Sequence, residues 1–371
     1  EYPTLTIVSP FEVEPWYSRP NCYVADPGRV LNSAGNMTDP EAQRATTERS
    51  STMDVYFYEA FAEETDALRR LIGDSMACGF TADTIQESKH TVPPAALISI
   101  RTQSLIPETW ATRVKGILSR STGYDHLLAY RGVVADVPKL GYLEEYSTRA
   151  VAEHALLLAA ALLRKLPQQM RQFSRFDRDG LTGRECLGTK LLVVGVGRIG
   201  SEIVKVAGGM GFDVRGVDIV PNRPHVSYVS AEQGLAWAEV IVCAMNLTNE
   251  NRGYFSQEKL RSARKGLIFV NIARGEHAPL IDLLPLCREG RLGGVGLDVF
   301  DEEPSLAAAL RHPSAGESEH VRLVGELLAF PNVILTPHNA FNSEEAVARK
   351  SEMTIRQIQT FLRTGDFLWK V

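Results

Sequence analysis

From residue 53 onward, short apolar runs alternate with segments in which apolar positions recur every three or four residues. Runs of that length bounded by polar or glycine residues predict strands, and the three-to-four spacing predicts helices. In the first half this predicts strands over 54–61 (DVYFYEAF), 95–100, 116–119 and 133–137, and a helix over 63–72. A long helix is predicted over 148–166, where AVAEHALLLAAALLRKL is apolar nearly all round; deep burial follows, with Pro167 as its stop. Residues 190–300 repeat the alternation, with strands over 191–194, 214–217, 240–244, 267–271 and 294–299 and a helix over 199–210. The stretch 301–331, carrying Pro304, Pro313 and Pro331, reads as a long connection; 333–336 is the last strand and 344–362 a closing helix. Strands alternating with helices predict an α/β class with parallel sheets covered on both faces. Residues 1–52 lack the pattern and are punctuated by six prolines, which predicts an extension lying on a domain or reaching a partner, or else a flexible tail.

The 371 residues suit two or three domains, enough chain for a real core. A net charge of -5 argues against nucleic-acid binding through a broad basic surface. The longest apolar run, 155–163, is nine residues and too short to span a membrane. Five cysteines at 22, 78, 186, 243 and 287 form no CxxC pair, which speaks against a disulfide scaffold or a metal site. The chain starts at Glu1 without a methionine, so a trimmed or processed chain is expected. No signal-like segment is visible, and a reducing cytoplasm is the expected compartment.

The strongest local motif is Gly195-Val196-Gly197-Arg198-Ile199-Gly200, which follows the strand KLLVV and opens a helix. That context suits a dinucleotide: Gly195 permits the turn, Gly197 lets backbone approach a pyrophosphate, and Gly200 lets helix pack on strand. The helix N-terminus offers free N–H groups to phosphate. Asp218, eighteen residues after Gly200, ends the next strand, where a carboxylate accepts both ribose hydroxyls of NAD and repels a 2′-phosphate. Three later strand ends each carry unusual charged groups. Arg274 in NIARG is either a surface residue beside a turn or a bidentate carboxylate grip. The acids of GLDVFDEEP form a solvated loop unless one finds a specific partner. His338 in TPHNAF is a satisfied core histidine or a proton donor working near pH 7, readied by a nearby carboxylate.

Taken in order, GVGRIG, NIARG, GLDVFDEEP and TPH resemble the motifs of the D-isomer-specific 2-hydroxyacid dehydrogenases, in the D-lactate dehydrogenase branch, over roughly 53–371. The resemblance implies two Rossmann-like/flavodoxin-like domains with parallel sheets: a substrate domain built from both chain ends (53–147 and 342–371) and an NAD-binding domain over 148–341, with 1–52 as an extension. It implies a catalytic set of Arg274, Glu303 and His338, and a nicotinamide contact at Asp298. NAD contacts fall at Gly195, Gly197, Arg198, Ile199, Gly200, Asp218, Met245, Asn246, Asn251, Ile272, Ala273 and Arg274. Thr122 and Gly123 match a turn whose amides bind the substrate carboxylate, beside Arg274. Tyr146 and Phe341 match aromatic positions of the branch. A pocket they line suits a small apolar or aromatic side chain and offers no partner for a phosphate. The implied reaction reduces a 2-oxo acid to a D-2-hydroxy acid with hydride from NADH, His338 giving the proton. A homodimer is also implied, with 148–166 as crossover and dimer element.

Departures from the family pattern are Asn246 in place of a proline, the length of 305–330, and TPHNAFN in place of TPH-hydrophobic-Gly. Rival readings are glyoxylate or hydroxypyruvate reduction and phosphoglycerate dehydrogenase. Formate dehydrogenase fits less, since that family sets Gln, not Glu, beside its His. A reading of another class is an NAD(H)-sensing, corepressor-like protein using 1–52 and 305–330 as partner surfaces; turnover of a 2-oxo acid separates it from an enzyme.

Overall fold

The computed structural model describes residues 53–312 and 318–371; the predicted extension over 1–52 lies outside the described residues. Among the described residues, two parallel sheets organise the chain. The first has the order β2-β1-β3-β4-β5, built from β1 (Val55–Phe57), β2 (Cys78–Phe80), β3 (Leu97–Ile100), β4 (Gly116–Ser119) and β5 (Lys139–Gly141). Its helices are α1 (Ala62–Ile72), α2 (Ile85–Ser88) and α3 (Asp125–Arg131). Then come α4 (Thr148–Leu163) and α5 (Leu166–Gln172). The second sheet has the order β11-β10-β9-β8-β6-β7. It comprises β6 (Lys190–Val194), β7 (Asp213–Val217), β8 (Val240–Cys243), β9 (Leu267–Asn271), β10 (Leu292–Leu297) and β11 (Val333–Leu335). Around it run α6 (Arg198–Gly209), α7 (Ala231–Trp237), α8 (Gln257–Ser262), α9 (Leu280–Arg288), α10 (Glu303–Arg311) and α11 (Glu319–Ala329). The chain closes with α12 (Glu344–Thr364).

The α/β class and both sheets agree with the sequence pattern, and three expectations are corrected. Residues 133–137 form no strand. Val133 is 61% exposed and Pro138 interrupts the run, so the segment that pairs with β4 is the following Lys139–Gly141. Pro167 does not stop the long helix. α4 ends at Leu163, Lys165 turns the chain at φ 53°, and Pro167 enters the first turn of α5, where its missing N–H costs nothing. The connection over 301–331 holds two helices, α10 and α11, whose inner faces bury Leu306, Leu323, Val324 and Leu327. The strand β2 escaped prediction because its three residues, CGF, are only partly buried.

Burial of α4 is real but one-sided: Ala152, Ala155 and Ala159 are fully covered, whereas Leu157 is 60% exposed. α12, capped by Ser343 and stopped by Gly365 at φ 75°, returns to the first sheet. There Phe361 lies against Gly116 of β4. A buried charge cluster fixes this return. Glu64 on α1 bonds Arg120 Nε at 2.8 Å and Lys350 Nζ of α12 at 2.9 Å, all three side chains fully enclosed. Burial alone would raise the Glu64 pKa, but Arg120, Lys350 and Arg101 outweigh it and bring it to about 2, while burial pulls Lys350 to about 7. Among the described residues, no helix is long and apolar enough to cross a membrane.

Because Glu64 is held below its ordinary value of 4.5, its contribution is fully present above that pH and is lost as pH falls toward 2. Glu64→Gln should lower stability by about 3 kcal/mol at neutral pH by leaving buried cations unpaired. Urea unfolding at pH 7 and at pH 4 should show that loss and a weaker acid dependence in the variant; an unchanged midpoint would disprove the role of the cluster.

Candidate active site

The second sheet sets its motifs in one row. Val217 pairs with Val194, Val194 with Cys243, Cys243 with Asn271, Asn271 with Leu297, and Leu297 with Leu335. The next residues are Asp218, Gly195, Ala244, Ile272, Asp298 and Thr336, so every sequence motif leaves from the same carboxyl edge. β6 lies between β7 and β8, the point where strand order reverses and open α/β sheets bind ligands.

At that point Gly195 turns at φ 90° against the backbone of Met245. A Cβ on Gly200 would overlap the Gly195 carbonyl, whereas a Cβ on Gly197 would meet nothing within 4 Å. The loop is thus closed toward the protein and open in front of the α6 N-terminus, a cradle that fits a pyrophosphate. Asp218 reaches into the loop, its Oδ2 accepting Val196 N–H at 2.5 Å and its Oδ1 Val220 N–H at 2.8 Å. These residues fit a bound dinucleotide. Arg198 is committed elsewhere, donating to the Glu144 carboxylate at 2.9 Å. Ile199 and Ile272 line the adjoining cavity. Asn251 braces the next loop, donating to the Asn246 carbonyl at 2.7 Å and accepting from Thr248 N–H at 2.8 Å. Met245 offers its carbonyl to His277. Ala273 N–H is held by the Asn271 side chain at 3.1 Å.

His338, Glu303 and Arg274 meet across the strand ends. His338 sits at φ 50° and its Nδ1 lies 2.6 Å from Glu303 Oε1, leaving Nε2 toward the cavity. Burial would lower the His338 pKa, yet the Glu303 charge and hydrogen bond, with Asp298, raise it. Burial would raise Glu303, and His338 brings it down. The loop carrying His338 is pinned by buried Asp298. Its Oδ1 accepts Thr336 Oγ1–H at 2.6 Å and Asn339 N–H at 2.8 Å, and its Oδ2 accepts Ala340 N–H at 2.9 Å. In this geometry Asp298 serves the loop with both oxygens.

Arg274 crosses to the first sheet. Its Nε and Nη2 both donate to Asp125 Oδ1, at 3.1 and 2.8 Å, and its Nη1 donates to the Ala273 carbonyl at 2.8 Å. Five donors in a fixed fork leave the end-on Nη1–Nη2 pair free. Gly123 faces this fork, and a Cβ there would overlap the guanidinium. A cavity of about 90 Å³ gathers Thr122, Gly123, Arg274, His338, Tyr146 and Phe341 in its wall. Tyr146 and Phe341 meet edge to face with centroids 6.4 Å apart.

Sequence reasoning missed Asp125, although it lies two residues after Gly123 in the same turn. It also missed Gln103, whose Nε2 donates to Glu303 Oε1 at 3.2 Å. The largest omission is Arg101. Its guanidinium lies 4.3 Å from the Phe341 ring, inside the aromatic wall. The expectation was that these aromatic positions offer no partner for a phosphate; Arg101 sets a cation among them. The signal was present, since Arg101 directly follows a buried strand, as does the row of motifs in the other sheet.

The family model for the NAD-binding domain of D-isomer specific 2-hydroxyacid dehydrogenases matches residues 155–340. The chain belongs to this family. It is an NAD-dependent oxidoreductase that interconverts 2-oxo acids and D-2-hydroxy acids. It is 28% identical over 320 residues to 2-hydroxyacid dehydrogenase A of Aspergillus oryzae, covering 83% of this chain and 88% of that one. It is 28% identical over 261 residues to an aromatic 2-oxoacid reductase of Clostridium sporogenes, covering 69% and 76%. The fold matches D-lactate dehydrogenase from Aquifex aeolicus complexed with NAD and lactic acid at a TM-score of 0.74 and 24% identity, over 85% of this chain and 98% of that one.

Asp218→Ala should weaken discrimination against NADP and loosen the Gly195–Gly200 loop. Fluorescence titration with NADH and NADPH should show the two affinities converging; an unchanged ratio would place selectivity elsewhere.

Proposed function

We propose that the pair of His338 and Glu303, set opposite the free end of Arg274 in one cavity, performs the reduction of a 2-oxo acid to its D-2-hydroxy acid. The 2.6 Å His338–Glu303 contact carries the reading. In it, the substrate carboxylate takes the end-on Nη1–Nη2 donors of Arg274 and the backbone N–H groups at Thr122 and Gly123. The carbonyl oxygen then faces His338 Nε2. Bound NADH supplies the hydride, an electron pair with its hydrogen, to the carbonyl carbon. His338 gives its Nε2 proton to the oxygen as negative charge develops there, and Arg274 stabilises that charge. Glu303 favours the charged imidazolium before transfer and fixes which nitrogen faces the substrate. In the reverse direction neutral His338 accepts the hydroxyl proton. Gly195, Gly197, Gly200 and Asp218 hold the dinucleotide, with Asn246 and Asn251 shaping the loop beside it.

The same reading makes the first sheet with α12 the substrate domain, and the second sheet the NAD-binding domain. It includes a homodimer and cytoplasmic residence. Met170, Phe173, Phe176 and Leu187 after α4 are each more than 70% exposed, an apolar set that a second copy would cover. The four described cysteines are free thiols, as a reducing compartment allows. The double change Phe173→Asp with Phe176→Asp should convert a dimer to a monomer in sedimentation velocity; a dimer that persists would remove this surface from the interface.

Reduction needs protonated His338, so its kcat/KM should be flat at low pH and fall as pH rises through the raised His338 pKa; oxidation should show the mirror profile. In Glu303→Gln, burial prevails and the fall should move below the ordinary 6.5, with activity at pH 7.5 down about 10²-fold. A pH profile of NADH oxidation unmoved by the substitution would disprove the pairing.

A further inference from the structure

Arg101 is a cation that the family chemistry above does not use. It directly follows β3, and its main chain is clamped: Glu59 accepts Arg101 N–H at 2.8 Å through Oε2 and Gln103 N–H at 3.0 Å through Oε1. Glu59 holds this position from a buried site at φ 54°. The Arg101 guanidinium lies 4.3 Å from the Phe341 ring and 5.6 Å from the Phe61 ring. Contact with aromatic faces holds a guanidinium by its plane and leaves the N–H donors at its edge available. Among the described residues, no carboxylate pairs with it and no hydrogen bond uses its side chain. It stands in the wall shared by two cavities. One is the 90 Å³ site with Arg274 and His338, and the other is a cavity of about 190 Å³ reached past Thr102 and Gln103. The second cavity also holds Arg311, but that guanidinium is already neutralised by Glu87 at 2.9 and 3.2 Å.

The aromatic wall is therefore not an apolar surface open to substrate. Phe341 packs against Arg101 and, at 4.7 Å, against Lys350 Nζ. Behind it, Arg120 and Lys350 share the single carboxylate of Glu64. Those two cations are occupied by Glu64, as Arg274 is by Asp125, whereas Arg101 has no carboxylate in direct contact among the described residues, and a partly desolvated cation without a partner favours an incoming negative group. With the substrate's first carboxylate on Arg274 and its carbonyl oxygen at His338, its side chain is directed to the Tyr146–Phe341 wall.

We propose that Arg101 selects substrate by pairing with a second, distal carboxylate, so that the preferred substrates are 2-oxo dicarboxylic acids of four or five carbons. The inference rests on the dehydrogenase reading of the site.

The test compares acids of matched length by NADH oxidation: oxaloacetate with 2-oxobutyrate, and 2-oxoglutarate with 2-oxovalerate. Phosphohydroxypyruvate forms a further arm. The dicarboxylate should lead its partner in kcat/KM by at least roughly tenfold, chiefly through KM. Arg101→Met should collapse that ratio by about 10²-fold, and Arg101→Lys should retain part of it. Preference for the monocarboxylates by the unmodified enzyme would overturn the inference while leaving the dehydrogenase reading intact. Preference for phosphohydroxypyruvate would overturn the distal carboxylate. A dicarboxylate preference that survives Arg101→Met would overturn the assignment to Arg101. Failure to turn over any 2-oxo acid would overturn both readings together.

Discussion

The register of the second sheet is the constraint on which the site depends. Six strands end at one level, from Val217 through Val194, Cys243, Asn271 and Leu297 to Leu335. The segments that carry Asp218, Gly195, Arg274, Asp298 and His338 all continue beyond that line. Side chains alternate across a strand, so a slip of one residue between β9 and β10 would turn every β10 side chain to the opposite face. It would also carry Asp298 away from the three hydrogen atoms it accepts from the His338 loop. The runs VIVC, LIFVN and LGGVGL are buried almost throughout, so the sheet edge is anchored in the core.

Burial and pairing then compete at each charged group, and distance decides the winner. His126 and His277 are both pushed down to about 4 by burial. His338 is largely enclosed as well but has the Glu303 carboxylate at 2.6 Å, and its pKa moves the other way. The difference is not residue type but whether a carboxylate is within direct contact. The same competition makes Glu64 a strong acid, since two cations touch it.

Arg274 joins the two halves of the site. It leaves the second sheet after β9 and reaches Asp125 at the start of α3 beside the first sheet. That contact orients the guanidinium and spends its side edge, so only the end-on pair of donors is left for a ligand. Arg101 enters from the first sheet under the opposite condition, with its guanidinium 4.3 Å from the Phe341 ring and no carboxylate in direct contact among the described residues. One cavity thus presents two arginines with different freedoms together with the histidine.

Much of this was legible along the chain. The alternation of short apolar runs and helical periods determined the parallel α/β class, because burial on both faces leaves continuous apolar strands. The glycine spacing in GVGRIG determined the phosphate loop, because only residues without a Cβ tolerate those approaches. The motifs NIARG, GLDVFDEEP and TPH at strand ends left the roles of their charged residues open, and it was their ordered resemblance to a family that marked Arg274, Glu303 and His338 as candidates. What the chain alone could not decide was which charges would touch. Whether Glu303 or a neighbouring acid meets His338 depends on α10 starting where 301–331 had read as connection. Whether the aromatic wall is apolar or cationic depends on Arg101, more than two hundred residues from Phe341 in sequence. Strand pattern is local and survives in the sequence; pair contacts between distant loops arise only when the sheets set those loops at one edge, and there tertiary structure alone decides the electrostatics.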